Sequence, residues 1–164
     1  MATMSRGITW LNTGQDGGDF ISVARGFGVP HPTGYPTYTL LLRGFGDVVV
    51  FGSHAFRANL FSVLTGAMTV PLIYVAASRL ISSIPGRDVG VGASVRASAV
   101  VAAVAFATSR LFWTQNTITE VYSLNALFGA VLLVLTLGLV QELRSGGLAI
   151  RNRVLMAFLL GLVM

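Results

Sequence analysis

The chain contains no cysteine. Disulfides and thiolate-held metals are therefore excluded, and cysteine usage says nothing about redox compartment. It also contains no lysine: all eleven basic residues are arginines, and with six acids they leave a formal net charge of +5. In a soluble domain that excess would point toward nucleic acid. Here the arginines stand singly and mostly flank apolar runs, so membrane topology accounts for them and no nucleic-acid partner is expected. Charge of either sign is scarce, 10% of residues, against about 25% in soluble domains. With 54% apolar residues and a mean hydropathy of +0.75, the composition places the chain among integral membrane proteins. Residues 1–19 hold no apolar core of the length a cleavable signal requires.

What is present is a series of long apolar runs. Ala58 to Ser78 is 21 residues without a charge, between Arg57 and Arg79. Val121 to Gln141 is another 21, between Glu120 and Glu142. Ala97 to Trp113 is 17 residues with Arg110 near its end, and Val154 to Met164 starts a fourth run. A helix needs about 20 residues to cross a hydrocarbon core of about 30 Å. The expectation is an all-α integral membrane protein with helices at about 58–80, 93–113, 118–141 and 154–164, the last cut short, preceded by a loop domain over 1–57. The truncated last run reads as a fragment of a longer multi-span protein or a truncated gene model. Pro71 is expected to kink the first span.

Loop 79–96 holds Arg79, Arg87 and Arg96, and loop 142–153 holds Arg144, Arg151 and Arg153. Arginine enrichment in short loops marks the cytoplasmic side, so residues 11–57 are expected to face outward from a bacterial-type cytoplasmic membrane. Within that segment Phe20, Val23, Ala24 and Phe27 recur at helical spacing, with Gly28 as the stop. A second short helix starts near Pro36. Both are too short to span and fit amphipathic helices lying in the membrane interface.

The polar residues cluster on this outward side. Asp16 and Asp19, in "GQDGGDF", fit a general base with an orienting partner, or metal ligands, or equally an N-cap with a first-turn acid. "HPTGYP" fixes φ at three prolines and would hold His31 and Tyr35 rigidly, whether for substrate or as a turn. Glu120 lies at the mouth of a span, where Thr117-x-x-Glu120 also matches a capping box. Tyr122 follows it, and Arg57 and Asn59 open the first span on the same side. An arginine there could clamp phosphate or snorkel to the interface. A carboxylate base and an arginine beside the bilayer suit chemistry on a lipid-borne phosphate.

At these residues the chain resembles glycosyltransferase family 117, relatives of the protein O-mannosyltransferases within the GT-C superfamily. The stretches that carry the resemblance are "GQDGGDFISVARGFGVPHPTGYPTYTLLLR", "FRANLFSVLTGAMTVPLIYVAASRL" and "FWTQNTITEVYSLNALF". It implies a multi-span GT-C helical bundle, here a fragment, whose first outward loop carries the catalytic acid. It implies sugar transfer from a polyprenyl-phosphate donor to a protein or glycan acceptor on the outer face. By position, Asp16 and Asp19 match the catalytic acids, and His31, Tyr35, Arg57, Asn59, Glu120 and Tyr122 fall on substrate-binding motifs. The resemblance fixes no cofactor and leaves a divalent cation as an open option. Two departures stand out: no span precedes the acidic motif, and no lysine follows the proline loop, where Arg43 or Arg57 would substitute. The competing readings are a transporter or permease fragment and a non-catalytic membrane scaffold. A transporter should carry ionisable groups at mid-bilayer, and these apolar runs have none at their centres.

Overall fold

The computed structural model describes residues 4–32, 34–84, 92–145 and 150–163. Thr33 of the proline loop, Arg87, and stretches 85–91 and 146–149 of the two arginine-bearing loops lie outside the described residues. Every regular element among the described residues is helical. A single 3-10 turn at Leu11–Thr13 precedes α1 (Gly17–Gly26) and α2 (Pro36–Val48). Then come α3 (His54–Ser82), α4 (Gly92–Thr108), α5 (Arg110–Asn116), α6 (Tyr122–Arg144) and α7 (Ile150–Val163). The chain divides into two compact units, residues 1–67 with 110–125 and residues 68–109 with 126–164, so α3 and α6 each contribute to both.

Two helices, α3 and α6, are long and apolar enough to cross a membrane. At 1.5 Å per residue they reach roughly 43 and 35 Å, enough for a core of about 30 Å. The run expected at 93–113 is broken: α4 and α5 meet at an angle of 59° at Ser109 and pass the length test only together. Most of these helical surfaces carry uncovered apolar side chains, such as Val101 at 67% and Phe158 at 63% exposed. In water that surface would be costly, whereas lipid tails are as apolar as the side chains themselves. The chain is thus a multi-pass membrane protein.

In the second unit the buried positions are small: Ala76, Ala99, Ala103, Ala130 and Thr69. Small side chains let membrane helices approach closely, which supplies packing where the hydrophobic effect does not. Arg79 donates to the Val134 carbonyl at 2.7 Å, and Gln141 Nε2 donates to the Ser83 hydroxyl at 3.4 Å.

The first unit is built on aromatics. Phe20 of α1 is 1% exposed. It packs edge-on against Tyr38 of α2, with ring centroids 5.0 Å apart, and Tyr38 packs in turn on Phe61 of α3 at 5.9 Å. Such pairs add about 0.5–1.5 kcal/mol each beyond the area they bury. Burial on α1 falls on Gly17, Phe20 and Ala24, one face of the helix. Phe27, expected on that face, lies beyond the helix end in a left-handed conformation (φ 53°) and is exposed. The stop is therefore Phe27, one residue before Gly28. Arg43 holds it there, with the guanidinium 3.5 Å from the ring centroid. The same guanidinium donates to the Ala24 and Arg25 carbonyls, which have no partner within α1. Arg57 does the equivalent for α2, donating to the carbonyls of Gly46, Val50 and Phe51.

Candidate active site

The start of α1 carries the acids. Asp16 occupies the N-cap position, yet its side chain makes no capping hydrogen bond. Its carboxylate is therefore not spent on the helix. Asp19, one turn on, accepts both the backbone N–H of His31 at 3.2 Å and a contact from His31 Nδ1 at 2.8 Å. The other ring nitrogen, Nε2, stands 3.6 Å from Asp16 Oδ2. One imidazole thus bridges the two acids.

The loop that delivers His31 is held by turn chemistry and by rings. Gly34 has φ 88° and donates its N–H to the His31 carbonyl at 3.0 Å. Tyr35, the N-cap of α2, is itself left-handed at φ 39°. A non-glycine residue there costs free energy that surrounding contacts must offset. Those contacts are Phe20, 5.5 Å from the Tyr35 ring, and His31, 5.8 Å from it. Phe20 also backs the imidazole at 5.7 Å. His31 and Tyr35 therefore share an aromatic floor, with the acids at its edge.

The hydrogen bonds from His31 hold the Asp19 carboxyl below its ordinary range. Reciprocally, the hydrogen bond to Asp19 raises the His31 imidazole despite some desolvation, and the charges of Asp16, Asp19 and Glu120 add to the rise.

Behind this floor lies the segment between α5 and α6. Glu120 is 3% exposed. Burial, then the charge of Asp16, pushes its carboxyl up to about 7, with the backbone N–H groups of Asp16 and Val121 and the His31 charge opposing the rise. The sequence match to a capping box is not realised. The first bond of α6 runs from Asn125 N–H to the Val121 carbonyl, and Thr117 donates its hydroxyl to the Thr114 carbonyl instead. Asn59, also buried, donates to the carbonyls of Ser5 and Gly7 and accepts the Thr119 hydroxyl at 2.6 Å. Tyr122 is exposed at the first position of α6.

The structure brings Asp16, Asp19, His31, Tyr35 and Glu120 together in the first unit. It places Asn59 against the N-terminal strap and Thr119, and turns Arg57 toward the end of α2. Among the described residues, no group of three or more His, Cys, Asp or Glu side chains is arranged to hold a metal ion. Sequence reasoning missed Phe20 as the floor, though its apolar spacing marked it as buried. It also missed Thr119 and Gly17, which carry no sequence signal.

The family described as the protein O-mannosyl-transferase TMEM260 N-terminal domain matches residues 16–164. The protein O-mannosyl-transferase TMEM260 of Mus musculus is 38% identical over 123 residues, covering 75% of this chain. That of Dictyostelium discoideum is 29% identical over 125 residues, again 75% of the chain. The chain spans 16% and 14% of the length of these two relatives. No solved structure matches.

Proposed function

The chain belongs to the TMEM260 N-terminal domain family, and from that premise we propose that it carries the acidic side of a membrane-embedded glycosyl-transfer site. The sugar, mannose by the relatives' names, moves from a polyprenyl phosphate to a hydroxyl on a protein or glycan acceptor. Residues 11–57 face the outer side, with α1 and α2 lying in the membrane interface. Exposed apolar side chains on α2 and in the loop that joins it to α1, Phe27, Val29, Leu40 and Leu41 among them, support that placement.

Asp16 is the general base. It takes the acceptor's hydroxyl proton as that oxygen attacks the anomeric carbon. The bond from that carbon to the phosphate oxygen breaks, the phosphate leaves with the electron pair, and the configuration inverts. Asp19 fixes the imidazole so that Nε2 faces Asp16, and when protonated the ring offsets the repulsion of two neighbouring acids. His31 and Tyr35 form a wall of the donor site, and Tyr122 stands at its rim. Arg57 and Asn59 support that wall through the backbone they bind. The observation that carries this reading is Asp16 itself: an N-cap carboxylate unused for capping and turned to a bridged imidazole.

The test is Asp16→Asn in the full-length protein. A general base contributes about 10²- to 10⁴-fold, so transfer should fall by at least a hundredfold. Thermal stability should change little, because no capping bond is lost. Undiminished transfer would overturn the assignment and point to Asp19.

A further inference from the structure

The stretch bearing Asp16 is laid directly on the segment before α6. A Cβ added at Gly17 would meet both Cβ and the carbonyl oxygen of Thr119 at 3.3 Å. One added at Gly14 would fall 2.6 Å from the Thr9 carbonyl and 3.3 Å from the Ile118 side chain. Glycine on each side of Asp16 is thus what permits the approach. The supporting segment is itself pinned: Ser5 N–H bonds the Thr117 carbonyl at 2.9 Å, Thr119 bonds Asn59, and Gln115 Nε2 bonds the Asn12 carbonyl at 3.1 Å. Glu120, which follows Thr119 in the chain, is buried beside this contact, and its carboxyl feels both the charge and the backbone N–H of Asp16.

We infer that Glu120 is a positioning residue: buried next to the Gly17–Thr119 contact, it fixes where the Asp16 carboxylate stands relative to substrate. The sequence and the family motif placed Glu120 among substrate contacts. Its burial beside the Gly17–Thr119 contact assigns it instead to the support of the base. The inference rests on the proposed role of Asp16.

Two consequences separate positioning from general structural support. First, support from a buried side chain needs its volume and an accepting oxygen but not its charge, so glutamine, which keeps both, should rescue what alanine loses. Second, a carboxyl so close to Asp16 should imprint its own titration on the activity. The titratable groups facing it are Asp16 at the start of α1, His31 in the following loop and Tyr38 of α2. Its value of about 7 puts the imprint in an accessible range.

The experiment follows donor turnover by the full-length protein, using a short-chain isoprenyl phosphate mannose and a Ser/Thr-containing peptide, from pH 5.5 to 8.5 (about one and a half units either side of that value). Glu120→Ala should lower kcat tenfold or more with KM for the donor little changed. Glu120→Gln should restore most of kcat and weaken the inflection near neutrality in the pH profile of kcat/KM, leaving the part that His31 contributes. Full activity of Glu120→Ala, or a KM rise at constant kcat, would overturn the inference, as would an unaltered pH profile in Glu120→Gln. Asp16→Asn is run alongside: if it is fully active, the reading of Asp16 as base fails. If it is inactive while Glu120→Ala is fully active, only the positioning role fails. Should Glu120→Ala not fold, the glutamine profile decides.

Discussion

Glu120 offers a stability measurement that needs no substrate. Its carboxyl is pushed from 4.5 to about 7, first by burial and then by the charge of Asp16. A rise of that size corresponds to about 3 kcal/mol of extra cost on the ionised form in the folded protein. Because the folded value lies above the unfolded one, the folded state holds the proton more tightly. Its contribution is complete below 4.5, declines as pH rises through about 7, and above that the full ionisation penalty is in place. Glu120→Gln removes the ionisation and keeps the volume and an accepting oxygen. The variant should therefore gain on the parent as pH rises from 5 to 8, by up to about 3 kcal/mol. Thermal unfolding of both proteins in detergent, at matched pH values, reads the gap. A gap independent of pH, or one that shrinks toward pH 8, would refute the account of a buried, like-charge-stressed carboxyl.

Asp19→Asn should let the His31 imidazole titrate closer to 6.5, since the hydrogen bond to Asp19 is the largest cause of its rise; ring NMR signals across pH would show it. The same pair should stabilise the fold most between the ordinary aspartate and histidine values, fading as pH rises through the raised His31 value or falls through the lowered Asp19 value. Arg57→Ala should cost about 1–3 kcal/mol, because the Gly46, Val50 and Phe51 carbonyls lose a charged donor; chemical denaturation measures it. For topology, a cysteine introduced at Gly46, where a Cβ meets nothing within 4 Å, should react with an impermeant reagent. Cysteines at Gly86 and Gly146 should not, and the reverse pattern would place the acids on the wrong side.

The sequence alone determined the class and the rough course of the helices. Charge scarcity and apolar runs of bilayer length are local, additive properties, so α3 and α6 could be read without neighbours. Asp16 and Asp19 could be named as candidates because both stand beside the start of an amphipathic helix. What their carboxylates do could not. An N-cap aspartate has the same spelling whether its side chain caps or not, and Thr117-x-x-Glu120 reads as a capping box although α6 begins two residues after Glu120. The choice depends on where the partner N–H groups lie, and that is set by packing. The pairing of His31 with Asp19 spans twelve positions and needs a left-handed Tyr35 seated on Phe20, a conformation local propensity disfavours. The burial of Glu120 under Asp16 joins residues 104 positions apart. Only the folded chain, with Gly14 and Gly17 admitting the close approach, brings that carboxyl beneath the acid it faces. Buried charge is costly away from water, and nothing in the order of residues announces which carboxyl will bear that cost.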